Sequence, residues 1–240
     1  MSRKSCPACE GSGYVVEERE GALVARPCKC GTPDKGTRLV ARSGIPERYR
    51  LRYVFETFRP APGTRQEEAL VSAKRYAEDY PAFPEGPNGL LFIGPCGVGK
   101  THLAVSILQR ILLFRGQPAL FVDLNDLYRE IRASYNRPAA DGTEYDILTP
   151  LVEAPLLLID ELGCVATTWA QDTLHYLVSQ RYNEQRPTLL TTNYLDAPAA
   201  GEPSLEERIG TRTRSRLAEM CRTVPMDGPD FRRRGTRGEG

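Results

Sequence analysis

The apolar run GLLFI (89–93) leads straight into GPCGVGKT (94–101), which opens a stretch of good helix formers, THLAVSILQR. A G-x-x-x-x-G-K-[ST] pattern set between strand and helix constrains the fold more than any other part of the chain. Its chemistry works only there: Gly94, Gly97 and Gly99 let the backbone wrap so that N–H groups and the helix N-terminus face phosphate oxygens. Lys100 supplies a mobile positive charge and Thr101 a hydroxyl for Mg²⁺. The nucleotide-binding set expected from the loop is Gly94, Pro95, Cys96, Gly97, Val98, Gly99, Lys100, Thr101 and His102. Cys96 reads as a small residue at a variable position, with a redox-sensitive thiol as the alternative.

Around this loop strands and helices alternate. PALFVD (118–123), APLLLID (154–160) and PTLLTTN (187–193) read as buried strands, and CRTVPMD (221–227) as a short edge strand. Helices are expected over 64–80, 100–115, 124–135, 168–184 and 204–219, the first with Thr64 as N-cap and Glu67 as its capping-box partner. Such alternation predicts an α/β fold with a mainly parallel sheet between helices.

LLLIDE ends in Asp160 and Glu161, so the acidic pair falls at the carboxyl end of a buried strand, where parallel sheets bind ligands. Asp160 is the expected Mg²⁺ holder and part of the cofactor site, and Glu161 the base that activates the attacking water. Solvated carboxylates at a strand end are the alternative. Asn193 closes the next strand, where it could orient the same water or simply serve a turn. Arg208, Arg212 and Arg216 follow at intervals of four and would share one helix face, either as a solvated surface or as charge offered to phosphate across a subunit interface.

Seven cysteines are an odd count, and four of them fall at Cys6, Cys9, Cys28 and Cys30. The pairs C-x-x-C and C-x-C around a predicted hairpin turning at Glu20-Gly21 fit a zinc site, with Gly11 and Gly13 suited to a tight knuckle. Ordinary reduced thiols and a thioredoxin-like redox pair are the alternatives. A net charge of +1 excludes a polycation, so nucleic-acid contact needs a local patch. With no long apolar run and no leader-like start, the expectation is a cytoplasmic protein without membrane contact. The basic end FRRRGTRGEG reads as disordered and weakly attractive to nucleic acid.

SGIPERYR, GKTHLA, LIDELG, QRYNEQRPTLLTTNY, and SRLAEM followed by DGPD occur in that order. With them, residues from about 44 to 231 resemble the AAA+ ATPases of the DnaC/DnaI helicase-loader and IstB group. The resemblance implies a five-stranded AAA+ P-loop core, and the short chain after SRL is a departure from the many AAA+ proteins that carry a helical lid, so no C-terminal lid domain is expected. The resemblance also implies self-association with ATP between neighbouring subunits, Asn193 as sensor, and Arg216 as the arginine finger with Arg212 as its neighbour. Relatives engage single-stranded DNA through the helix after the second strand, which here carries Arg129, Arg132 and Tyr135; a partly exposed amphipathic helix is the plain alternative.

The four-cysteine segment is similar to zinc-bearing N-terminal regions of loaders that bind the hexameric replicative DNA helicase. The expected organisation is a zinc module over 1–36, a linker leading to the nucleotide pocket over 37–63, the ATPase domain over 64–228, and a basic tail over 229–240. The expected function is Mg²⁺-dependent hydrolysis of ATP to ADP in loading that helicase onto single-stranded DNA, with Zn²⁺ in the N-terminal module. The alternative is an IstB-like helper ATPase acting on target DNA with a transposase.

Overall fold

A computed structural model of the chain describes residues 6–10, 13–19, 21–30, 34–81, 86–136, 138 and 142–231. Gly11, Glu20 and the basic end 232–240, all part of the expectations above, lie outside the described residues. The chain divides into two compact units, one formed within Met1–Ala82, Cys96–Ala119 and Met226–Gly240, the other within Phe83–Pro95 and Leu120–Pro225.

The second unit holds the sheet. Strands β3 (Gly89–Ile93), β4 (Leu120–Asp123), β5 (Leu157–Asp160), β6 (Thr188–Thr192) and β7 (Cys221–Pro225) pair in the order β4-β5-β6-β3-β7. All four pairings are parallel, so the expected α/β sheet is five-stranded and parallel throughout, with β7 as the expected edge. Every residue of β3, β5 and β6 is buried, which is why these strands read as continuous apolar runs instead of alternating ones. Gly89 sits where β3 is squeezed by its neighbours: a Cβ there would lie 2.4 Å from the Thr188 carbonyl oxygen and 2.6 Å from the Cys221 sulfur.

Helices α5 (Leu124–Ser134), α6 (Glu144–Glu153), α7 (Thr168–Asn183), α8 (Leu205–Ile209) and α9 (Thr211–Met220) accompany this sheet. Asp123 caps α5 by accepting from the Asn125 and Asp126 amides, and Leu124, Leu127, Tyr128 and Ile131 form the buried stripe that joins the core.

Two features depart from expectation. The helix expected over 204–219 is broken at Gly210 (φ 83°, ψ 144°) into α8 and α9, so Arg208 does not share one face with Arg212 and Arg216. Helix α6 is not among the expected helices; a Thr143–Asp146 capping box starts it, and Pro150 lies within it.

The first unit contains the hairpin β1 (Tyr14–Arg19) and β2 (Ala22–Pro27), then α1 (Asp34–Arg42), α2 (Glu47–Arg50), α3 (Arg65–Asp79) and α4 (Lys100–Arg110). The hairpin pairs antiparallel with Arg19 opposite Ala22, as a two-residue turn requires. Thr64 caps α3 as expected, but the Glu67 carboxylate accepts from the Gly63 amide at 2.7 Å, one residue earlier than a capping box would place it. Helix α4 continues as a π-helical turn over Ile111–Arg115 and stops at Gly116, whose φ of 61° is left-handed. The segment before α3 packs on α4: Arg110 pairs with Glu56 at 2.5 Å, and the Gln109 amide donates to the Tyr53 carbonyl at 2.8 Å.

Arg181 on α7 is completely buried. Its guanidinium donates to the carbonyls of Leu151 (2.8 Å), Val152 (3.1 Å), Ala154 (2.8 Å) and Pro187 (2.6 Å), and to the Thr188 hydroxyl (2.9 Å). It thus satisfies the last carbonyls of α6 and ties that helix to the start of β6, with its charge placed at the negative end of the helix dipole. Arg181→Ala would orphan several buried carbonyls at once, and the expected loss is about 3 kcal/mol or more in urea denaturation. A loss under about 1 kcal/mol would contradict this role.

Candidate functional site

The phosphate loop leaves β3 at Gly94, whose amide donates to the Thr192 carbonyl at 3.3 Å. Gly97 and Gly99 both take positive φ (81° and 100°), the backbone shape that lets consecutive amides line a concave turn. Gly99 is also the N-cap of α4, and the first turn of α4 carries no acidic residue to offset its positive end. Val98 is fully buried and Lys100 nearly so, whereas Cys96 is exposed. A Cβ on Gly99 would meet the Phe58 ring at 2.4 Å, so glycine is needed there for packing as well as for φ.

His102 turns its ring away from the loop into an aromatic box. It stacks on Tyr53 (4.7 Å, 15°) and meets the edge of Phe58 (5.2 Å), while Nε2 reaches the Val54 carbonyl at 2.9 Å and the Thr57 hydroxyl at 3.1 Å. Burial holds its pKa down at about 4, with the Val54 carbonyl pulling the other way.

The acidic residues lie in the second unit. Asp160 is buried at the end of β5 and accepts from the Thr191 hydroxyl of β6, which in turn accepts from the Glu161 amide at 3.1 Å. Glu161 takes a left-handed φ of 61°, costly for a side-chain-bearing residue, and its carboxylate is exposed where Asp160 is not. The Asn125 amide, at the start of α5, donates to the Glu161 carboxylate at 2.9 Å. Asn193 is exposed directly after β6. Sequence reasoning missed Thr191 and Asn125, since their partners lie across the sheet and only the folded register brings them together.

Arg216 on α9 rests on α7. Its guanidinium donates to the Ser179 hydroxyl and to His175 Nε2 (3.1 Å) and lies 5.7 Å over the Tyr182 ring. His175 Nδ1 faces the Thr213 hydroxyl at 3.2 Å, and its pKa is lowered by burial and then by Arg216 and Arg212, which suits the neutral ring that accepts from Arg216. Arg212 is exposed, and Arg208 donates to the Gly163 and Cys164 carbonyls at 2.8 and 2.9 Å.

On α5, Arg129 is exposed and pairs loosely with Asp126, whereas Arg132 lies 4.8 Å over the Trp169 ring. The Trp169 indole donates to the Tyr135 hydroxyl at 3.0 Å, and that hydroxyl donates to Glu144. Arg132 and Tyr135 therefore meet on Trp169, a residue the sequence did not single out.

The four N-terminal cysteines converge, with all Sγ atoms within 4.8 Å of one another. Cys6 and Cys28 are 3.8 Å apart and Cys9 and Cys30 3.3 Å. Four sulfurs at about 2.3 Å from one zinc ion would be separated by about 3.8 Å, so the set fits a tetrahedral site. The Glu10 amide closes the knuckle on the Cys6 carbonyl at 2.8 Å, and the Cys28 amide bonds the Gly13 carbonyl at 2.8 Å, tying the second pair to the first.

His102 supplies a pH test of the box. Its ring is held neutral in the folded chain while the unfolded chain takes a proton near pH 6.5, so protonation favours unfolding. Its contribution is complete above about pH 6.5 and fades as pH falls towards 4, by about 3 kcal/mol in all. Denaturant titrations should show wild type losing this increment relative to His102→Gln across that window, and parallel curves would contradict the burial.

The sequence model of the family described as IstB-like ATP binding protein matches residues 81–238. A Geobacillus stearothermophilus protein named for insertion sequence IS5376 and ATP binding is 34% identical over 115 residues, covering 47% of this chain and 43% of that protein. The replicative helicase loader DnaC of Escherichia coli K12 is 30% identical over 129 residues, covering 53% of this chain and 50% of that one. The chain thus matches about half the length of these curated relatives or less. A crystal structure of the DnaC helicase loader superposes with a TM-score of 0.64 at 29% identity, covering 76% of this chain and 100% of that chain. A crystal structure of DnaI has the same fold, with a TM-score of 0.56 at 21% identity over 78% of this chain and 93% of that one. With the parallel sheet and phosphate loop in place, the match over residues 81–238 makes the chain a member of the IstB-like ATP-binding protein family.

Proposed function

We propose that the protein is an ATP-hydrolysing loader of a hexameric replicative helicase onto single-stranded DNA, gripping the helicase through its N-terminal four-cysteine module. The observation that carries this reading is the convergence of Cys6, Cys9, Cys28 and Cys30 in a chain whose sheet superposes on a DnaC loader. In this reading the chain carries a zinc module over 1–36, a connecting segment over 37–63, an ATPase domain over 64–228 and a tail over 229–240.

In this reading residues 94–101 cradle the phosphates, with Lys100 drawing charge from the β- and γ-oxygens. Thr101 and Asp160 would supply the oxygens that hold Mg²⁺, which would lower the charge on the γ-phosphate. Glu161 accepts the proton of the attacking water, and Asn193 orients that water. The Asn125 amide occupies one Glu161 oxygen, so Glu161 must let go of Asn125 before it can act with that oxygen. Arg216 must likewise leave His175 and Ser179 to serve a neighbouring subunit's nucleotide. Arg129, Arg132 and Tyr135, with Trp169 as a stacking face, supply the contact for single-stranded DNA.

A second reading is a transposition helper that acts on target DNA with a transposase, favoured by the similarity to the IS5376 protein. Native mass spectrometry of the full-length protein with zinc, ATP and the host's replicative helicase separates the two. The loader reading expects one zinc per chain, lost in Cys6→Ser, and a stable complex with the helicase that weakens with that loss. No complex between folded partners, with ATP-dependent binding to duplex DNA instead, would favour the transposition helper.

A further inference from the structure

The outer side of the phosphate loop is braced by two segments far from it in sequence. The Phe231 amide donates to the Gly97 carbonyl at 3.0 Å, and the Gln66 amide of α3 donates to the Val98 carbonyl at 3.2 Å, within buried surroundings. In a trans peptide the carbonyl and the next N–H point in opposite directions. Engaging these two carbonyls therefore turns the Val98 and Gly99 N–H groups to the opposite face of the loop.

The brace is itself held together. A Cβ on Gly228 would lie 3.1 Å from the Gln66 amide nitrogen, so the C-terminal segment lies directly against the side chain that holds Val98. A Cβ on Gly97 would lie 1.9 Å from an Asp230 carboxylate oxygen, so only glycine lets the segment close over the loop. The Phe231 ring meets the edge of Phe58 at 5.4 Å, and Phe58 is the ring that fills the space beside Gly99. Arg65 and Asp227 add an exposed pair at 3.1 Å, of little weight alone.

We propose that Gln66 and residues 227–231 are positioning groups of the phosphate site: by holding the Gly97 and Val98 carbonyls outward they aim the amides of Val98 and Gly99 at the bound phosphates. This rests on the reading of residues 94–101 as that site. Both groups bond the outward carbonyls of the loop. Each acts by removing the need to reorient peptides when phosphate arrives, which preorganises the loop.

The test is isothermal titration of the full-length protein with Mg-ADP and with adenosine, which lacks the phosphates. Gln66→Leu should weaken ADP by about fivefold, and ending the chain after Met226 by about tenfold, with adenosine affinity holding within about twofold. Ending the chain after Phe231, which keeps the brace, should leave both affinities unchanged. A general loss of stability would lower both ligands together, so the ADP-to-adenosine ratio is the diagnostic quantity. An unchanged ratio in folded Gln66→Leu would overturn the proposal, and that variant decides the matter if the chain ending at Met226 does not fold. A wild type that binds neither ligand would overturn the reading of the phosphate site itself, and this proposal with it.

Discussion

Parallel register in the sheet is the constraint on which the arrangement of Asp160 and Glu161 depends. Asp123 lies opposite Asp160, Ile159 opposite Leu190 and Ile93 opposite Thr192, so β3, β4, β5 and β6 all end along one rim. Because the strands run the same way, each turns into a loop at that rim, and short polar side chains from different strands come within hydrogen-bond reach. Thr191 bridges the Asp160 carboxylate and the Glu161 amide from the adjacent strand, and Asp123 caps α5 so that Asn125 faces Glu161. A slip of one residue would turn Thr191 to the other face and break both links.

The N-terminal module has a second kind of dependence. A segment this small has little apolar interior, and its cysteine cluster is complemented by packing within its own unit. Gly13 abuts the Phe114 ring, Tyr14 meets that ring at 6.0 Å, and the Ala25 amide bonds the Leu51 carbonyl at 2.7 Å. Phe114 belongs to the π-helical turn that extends α4, and Arg110 lies 5.0 Å over its ring. The knuckle is thus seated on the far end of the helix whose near end forms the phosphate loop, and the aromatic box around His102 is on that same helix.

Much of this was legible in the sequence because it is local. The phosphate-loop spacing, the apolar strands, the Thr64 cap and the paired cysteines each carry their physics within a few residues. What stayed hidden depends on partners distant in the chain. Arg181 looks like an ordinary helical arginine until α6 brings its last carbonyls to it, and Thr191 looks like a strand residue until β5 lies beside it. The run 204–219 reads as one helix, and the extended ψ at Gly210 breaks it, which separates Arg208 from Arg212 and Arg216. Helix α6 carries Pro150 in its interior, and its Thr143–Asp146 capping box shows only once the fold places it.

In the proposed function the exposed carboxylate of Glu161, poised on a left-handed turn after buried Asp160, drives ATP hydrolysis without being needed to bind ATP. Phosphate release from Mg-ATP, measured beside nucleotide affinity for wild type and Glu161→Gln, tests it most directly. The account predicts that hydrolysis falls by about a hundredfold or more while affinity stays within a few fold. Hydrolysis by Glu161→Gln at the wild-type rate would contradict it.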